Sequence, residues 1–210
     1  MQRLAEFIRA RAQETYPEPP SEGHDQITKQ MVPEVCGRLT AGFSVLDVGC
    51  GQGVAFQGFL DAGASKVIGM TTNEEDFKAA SAFLCTSAIV DVDMCDMHAI
   101  ADQYRSGCFD LVWARHVLEH SVAPFFVLHE FHRVLKPGGW LYVEVPGPET
   151  ACCHESNKNH YSVMGPQMWL NLLTRAGFEV VEGREMSLQT AAGPDKYIGW
   201  ICKRLANGKP

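Results

Sequence analysis

Phe43-Ser44-Val45-Leu46-Asp47-Val48-Gly49-Cys50-Gly51-Gln52-Gly53 is the stretch whose reading decides the fold of this chain. Its first half, Phe43 to Val48, is an apolar run long enough for a buried strand. Glycines then occupy every second position, 49, 51 and 53. A helix-compatible segment follows from Val54 to Ala62, with Ala55, Phe56, Phe59 and Leu60 apolar. Strand, glycine turn and helix in that order make the context of a nucleotide-binding loop. Residues without a side chain let the backbone turn sharply and approach a ligand. Amides at the start of the helix can then meet a polar or anionic group. The spacing is neither G-x-G-x-x-G nor G-x-x-x-x-G-K-[ST], so a pyrophosphate loop and a P-loop are both excluded.

What stands here is D-x-G-x-G-x-G, beginning at Asp47, and it resembles the first motif of the class I S-adenosylmethionine-dependent methyltransferases. Three further stretches carry the same resemblance. Phe109-Asp110-Leu111-Val112, followed by Leu118-Glu119-His120, is similar to the fourth motif of the small-molecule branch called type 11. Arg133-Val134-Leu135-Lys136-Pro137-Gly138-Gly139 and Leu172-Leu173-Thr174-Arg175-Ala176-Gly177-Phe178 match the same branch. The resemblance spans roughly residues 40 to 205. It implies an α/β, Rossmann-like fold: a seven-stranded, mainly parallel sheet, helices on both faces, and an antiparallel C-terminal hairpin. The alternation of short apolar runs with amphipathic segments argues independently for a parallel sheet covered on both sides.

The resemblance also implies a cofactor, S-adenosyl-L-methionine, and residues to hold it. Asp47, Gly49, Cys50, Gly51 and Gly53 would pass under its methionine part. The second strand, Ala64 to Met70, ends where many relatives carry an acid for the ribose hydroxyls, and here that position is Thr71. The run Gly69-Met70-Thr71-Thr72-Asn73-Glu74-Glu75-Asp76 instead resembles the G-x-T-x-S-x-x-Q stretch of cyclopropane-fatty-acid synthases and sterol methyltransferases. By position, Thr71, Thr72 and Asp76 then become the ribose-side candidates, with Thr72 and Asn73 as helix caps. Glu74 and Glu75 suit a helix N-terminus by charge alone. After a third strand, Ser87 to Val92, Asp96 and Met97 are the adenine candidates and Asp93 is the rival acid. Ala114, Arg115 and His116, at the end of the fourth strand, lie beside the transferable methyl group. Arg115 suits a carboxylate of cofactor or substrate.

The acceptor side rests on Gly147 to Gly165, which has little apolar periodicity and many proton-exchanging groups. His154, His160 and Tyr161 are the catalytic candidates, because an imidazole titrating near neutrality can take a proton from a hydroxyl or an amine. His154, Glu155 and His160 as metal ligands, or a merely solvated connection, are the competing readings. No closed metal-ligand spacing occurs, and no metal is assigned.

Two N-terminal helices, 4–15 and about 25–39 with an interruption near Pro33, precede the nucleotide-binding domain of 40–205. Residues 1–39 are expected to lid the cofactor on the substrate side or to pack on the sheet edge, with His24 and Gln26 as candidates. A chain of 210 residues with 46% hydrophobic content suits one domain. No apolar run spans a bilayer and the N-terminus lacks a signal-peptide core, so no membrane partner is expected. A net charge of −7 argues against a nucleic-acid surface. Eight cysteines without a C-x-x-C pair suit a reduced, cytoplasmic setting. The expected partner is a small-molecule substrate, with homodimer formation left open. The leading function is methyl transfer to a hydroxyl, then an amine, of a small polar metabolite or sugar. Carbon alkylation, non-methyl chemistry on the sulfonium, and cofactor binding without catalysis are the alternatives.

Overall fold

A computed structural model describes residues 6, 7, 10, 22–85 and 87–205, the side chains of 22–24 excepted. The predicted helix 4–15 lies outside the described residues apart from Glu6, Phe7 and Ala10, which are helical. His24 as a side chain and the tail from Ala206 also lie outside them.

In chain order, helix α1 is Glu22–Cys36, followed by β1 (Ser44–Val48), α2 (Phe56–Asp61), β2 (Lys66–Thr71) and α3 (Glu74–Ser81). Next come β3 (Val90–Met94), α4 (Ile100–Gln103), β4 (Phe109–Arg115), α5 (Pro124–Val134) and β5 (Leu135–Pro146). Then α6 (Pro166–Arg175), β6 (Phe178–Thr190) and β7 (Gly193–Arg204) close the fold. The seven strands lie in the order β3-β2-β1-β4-β5-β7-β6. β1 to β5 pair in parallel, while β7 runs antiparallel to both β5 and β6.

Successive residues of the central strands feed opposite faces of the sheet, as the two-residue repeat of a strand requires. Leu46, Val48, Val112, Ala114, Leu141 and Val143 join one core with Leu128 and Phe131 of α5 and Trp169 and Leu173 of α6. Val45, Leu111, Trp113 and Tyr142 join the other, with Phe56 and Phe59 of α2 and Ile27, Met31 and Val35 of α1. Trp113 anchors the second core: its ring lies 4.3 Å from Tyr142 and meets Phe59 edge-on at 5.6 Å. Truncating so large a buried ring costs about 3–5 kcal/mol.

Two expectations change. Pro33 does not interrupt α1, which runs on to Cys36. Only the last turn follows it, so the missing N–H removes one bond. The third strand begins at Val90 rather than Ser87 and takes in Asp93 and Met94. On α5 the inward stripe is Val127, Leu128, Phe131 and Val134, which leaves Phe125 47% exposed. The C-terminal hairpin is long, pairing Phe178–Thr190 with Gly193–Arg204. β6 is an edge strand with no fully buried residue after Phe178, so its sequence carries no apolar signature.

Candidate functional site

The site gathers at the C-terminal ends of β1, β2 and β4, where an open parallel sheet leaves a crevice. The glycine loop is pinned by Cys50 N–H donating to the Met70 carbonyl at 2.8 Å and by Gly53 N–H donating to the Cys50 carbonyl at 2.9 Å. Gly49, Gly51 and Gly53 all have positive φ, at 69°, 52° and 81°. A Cβ on Gly49 would lie 2.4 Å from Val117 Cγ2, and one on Gly53 would lie 2.8 Å from the Phe56 ring. A Cβ on Gly51 would meet nothing within 4 Å among the described residues. Gly49 and Gly53 are therefore glycine for packing, whereas Gly51 opens onto free space.

The ribose-side candidates stand at the next strand end. Thr71 is buried, and its hydroxyl accepts from Asn73 N–H at 3.2 Å. Asn73 caps α3, taking the amides of Glu75 at 2.9 Å and Asp76 at 3.1 Å. Thr72 is exposed and Asp76 is half-buried. The Cys50 thiol is pushed up by burial and then by the charges of Asp47 and Asp76, so both carboxylates approach the loop. Asp47 is itself raised by burial against the pull of Arg115.

On the adenine side, Asp96 starts a 3₁₀ turn, Met97–Ala99. One of its oxygens accepts from His98 N–H at 2.8 Å and from His98 Nδ1–H at 2.7 Å. His98 Nε2 reaches Ser121 Oγ at 2.8 Å. Met97 is half-buried beside it and packs against the first core. The rival acid, Asp93, is bound instead by the Tyr104 hydroxyl.

Arg115 leaves β4 into a buried ionic knot. Its Nε donates to Glu144 Oε1 at 2.8 Å and its Nη1 to Thr28 of α1 at 2.8 Å. Its Nη2 is buried with no hydrogen-bond partner among the described residues. Glu144, fully buried on β5, also accepts from His116 Nε2 at 3.0 Å and from the Tyr142 hydroxyl at 2.6 Å. Burial would raise Glu144, but His116 and Arg115 outweigh it and hold the carboxyl at about 2. Burial lowers His116 against the opposing pull of Glu144. Ala114 is wholly buried in the first core, leaving only its backbone to meet a ligand.

The turn Val117–Ser121 is the hub. Val117 closes on Gly49, and the Glu119 carbonyl accepts from the amides of Tyr161 at 2.8 Å and Ser162 at 2.9 Å. The histidine-bearing loop is thereby fixed over the strand ends. His160 donates from Nδ1 to the His154 carbonyl at 3.0 Å, and its Nε2 lies 3.3 Å from Asn157 Nδ2. His154 Nε2 meets Asp195 Oδ1 of β7 at 2.9 Å. The His154 and His160 rings stack at 5.6 Å, and His120 meets His160 edge-on at 4.9 Å. The Tyr161 side chain, by contrast, is 46% exposed.

His154, Glu155 and His160 do not converge as one ligand set. Glu155 turns away to accept the Glu149 amide. Donor atoms of Glu119, His120 and His160 lie within 4.8 Å of one another, as do those of Cys152, His154 and Asp195. The sequence reading missed Glu144 and Asp195. A charge inside the apolar run Trp140-Leu141-Tyr142-Val143-Glu144-Val145 was a signal for the first. Asp195 carried none.

The family model described as a methyltransferase domain matches residues 46–143. The ubiquinone biosynthesis O-methyltransferase of Nitrosomonas europaea is 29% identical over 150 residues, covering 70% of this chain and 60% of the relative. This chain thus spans well under two thirds of that relative's length. Among solved structures, the 4+2 cyclase SpnF superposes with a TM-score of 0.72 at 21% identity, over 87% of this chain and 82% of that one. An S-adenosylmethionine-dependent methyltransferase from Methanosarcina mazei gives 0.67 at 18% identity, over 82% and 97%. At these identities the two structures share the fold and nothing finer is read from them. With the glycine loop, the L-E-H turn and the strand order already described, the match over residues 46–143 supports a class I S-adenosylmethionine-dependent methyltransferase domain of type 11, with S-adenosyl-L-methionine as its cofactor.

Proposed function

We propose that the protein is an O-methyltransferase, moving a methyl group from S-adenosyl-L-methionine to a hydroxyl of a small polar metabolite or sugar. The carrying observation is the juxtaposition of an open glycine floor at Gly51 with a fixed, histidine-lined loop above the same strand ends. The name of the curated relative supports oxygen over nitrogen as the acceptor atom.

The residues present fit the cofactor. Gly51 leaves room for the methionine part, and the unpartnered Arg115 Nη2 is a buried cation suited to its carboxylate. Thr71 and Asp76 would take the ribose, with Thr72 at the rim. Asp96 and Met97 would take the adenine, as acceptor and as apolar neighbour. When bound, the cofactor supplies an electrophilic methyl carbon. The chain itself must hold the acceptor in line with that carbon, exclude water, and accept a proton; much of the rate comes from the first of these. His154 and His160 are the proton-accepting candidates, and Tyr161, with its exposed side chain, would serve only as a contact to the acceptor. Helix α1 contributes to this side through Thr28, which braces Arg115.

Calorimetric titration with S-adenosylmethionine and S-adenosylhomocysteine tests the first half. Micromolar binding by the wild type, absent in Gly51→Arg, is expected. A panel of catechols, sugars, hydroxy acids and amines, read by release of S-adenosylhomocysteine, tests the second. Binding without turnover across the panel would favour a non-catalytic role. Methylated amines but no ethers would move the acceptor to nitrogen.

A further inference from the structure

The loop carries two histidines, and their surroundings differentiate them. His160 is a brace. A backbone carbonyl can only accept, so Nδ1 of His160 must carry its proton to bond His154. Its Nε2 faces the Asn157 amide. Both ring nitrogens are thereby occupied inside the loop.

His154 is held differently. Its Nε2 meets the Asp195 carboxylate at 2.9 Å, and that carboxylate is 1% exposed. Asp195 Oδ1 also accepts the Lys196 amide at 2.9 Å, its Oδ2 is buried with no hydrogen-bond partner among the described residues, and the Tyr197 hydroxyl near the carboxyl helps to lower it. Burial alone would raise Asp195, but these bonds with His154 outweigh it and keep the carboxyl ionised. An ionised carboxylate only accepts, so the His154 proton resides on Nε2. The lone pair of Nδ1 then has no partner among the described residues, on a side chain 13% exposed. The groups packed around the ring are His160, stacked at 5.6 Å, Tyr197, edge-on at 5.7 Å, and Cys152, with Glu155 near enough to feel its charge.

The backbone explains why Asp195 can do this. Gly147 N–H bonds the Lys196 carbonyl at 2.7 Å, and Ala151 N–H bonds the Pro194 carbonyl at 3.2 Å. The loop is zipped along the first residues of β7, which sets Asp195 beneath His154.

We infer that Asp195 is a positioning residue: it fixes the tautomer and aim of His154, and His154 Nδ1, not His160, takes the proton from the acceptor hydroxyl. In that step the acceptor O–H bond breaks, its O–CH₃ bond forms and the methyl–sulfur bond breaks. The proton ends on Nδ1, and the pair of the broken methyl–sulfur bond stays on sulfur to give the neutral thioether. The imidazolium so formed keeps its Nε2–H on Asp195. The inference rests on the methyltransferase reading.

The test combines ¹⁵N spectroscopy of the histidine rings with kinetics. In the wild type, His154 is expected as the Nε2–H tautomer and His160 as the Nδ1–H tautomer; Asp195→Asn should shift only His154. Asp195→Asn and His154→Gln should each bind S-adenosylmethionine as the wild type does. Each should lower kcat on the best acceptor of the panel by about 10²-fold or more, with KM nearly unchanged. The double variant should be no worse than either alone. A wild-type His154 protonated on Nδ1 would overturn the inference, as would full turnover in Asp195→Asn. So would one equivalent of zinc bound by the wild type and lost in Asp195→Asn, since Cys152, His154 and Asp195 would then be ligands. Failure of the methyltransferase reading itself looks different: the wild type would not bind S-adenosylmethionine, while the ring tautomers would still report on the pair.

Discussion

Gly49 and Gly51 share a backbone hand and differ in what surrounds them, so alanine should affect them in different currencies. At Gly49, strain at positive φ adds to an overlap with Val117, and Gly49→Ala should lose about 2–4 kcal/mol in thermal unfolding. At Gly51 the space is open, so Gly51→Ala should cost about 1 kcal/mol while weakening cofactor binding severalfold by calorimetry. Equal stability losses at both would show that Gly51 also is there for packing. Glu144 makes a second prediction. Its carboxyl is held at about 2 in the fold against an ordinary 4.5, so the unfolded chain binds more protons between those values. The stabilisation, up to about 3 kcal/mol, is complete above pH 4.5 and is lost as pH falls through 2. Glu144→Gln should flatten that window in acid unfolding and cost about 3–5 kcal/mol at neutral pH, because Arg115 is left buried without its partner.

Among the elements, α5 carries a separate acid-sensitive group. His132 is buried, its Nε2 has no hydrogen-bond partner among the described residues, and burial, then Arg204 and His129, lower it from 6.5 to about 4. A neutral imidazole in the fold means stability falls as pH drops from 6.5 to 4, by up to about 3 kcal/mol. His132→Leu should remove most of that slope, His116 retaining a share of the same sign. An unchanged slope between pH 6.5 and 4 would place the sensitivity elsewhere. The elements also differ in how far the sequence reveals them. β1, β4 and β5 are buried on both faces, so their apolar runs announce them. β6 lies at the edge and alternates between exposed and half-exposed residues, so nothing in Glu182 to Thr190 distinguishes it from a loop. That hidden length matters, because its partner β7 thereby starts at Gly193 and carries Asp195. The cofactor side was legible because glycines and short acidic turns are local signals. The acceptor side was legible only as a list of polar residues, since pairing His154 with Asp195 spans 41 positions of sequence.

For the molecule as a whole, two cores on one sheet make the fold cooperative, and ligand binding should register globally. At a hundredfold excess over Kd, S-adenosylmethionine contributes about 2.7 kcal/mol, which for a chain of this size raises Tm by about 5–10 °C. Gly51→Arg should show no such rise at the same concentration, and a rise there would mean the ligand sits elsewhere. All eight cysteines are free thiols, and they are not equivalent. Cys85 and Cys153 lie open to solvent, whereas Cys50 is buried in the glycine loop with its sulfur close against Gly69. Burial and nearby acids suppress its thiolate, so an alkylating reagent can reach it only in molecules whose loop has lifted from the strand ends. The chain therefore carries a built-in stopwatch at the floor of its own cleft. The rate at which Cys50 is labelled, after the exposed thiols have reacted, counts loop openings, and the factor by which cofactor slows that count measures how firmly the closed loop is held.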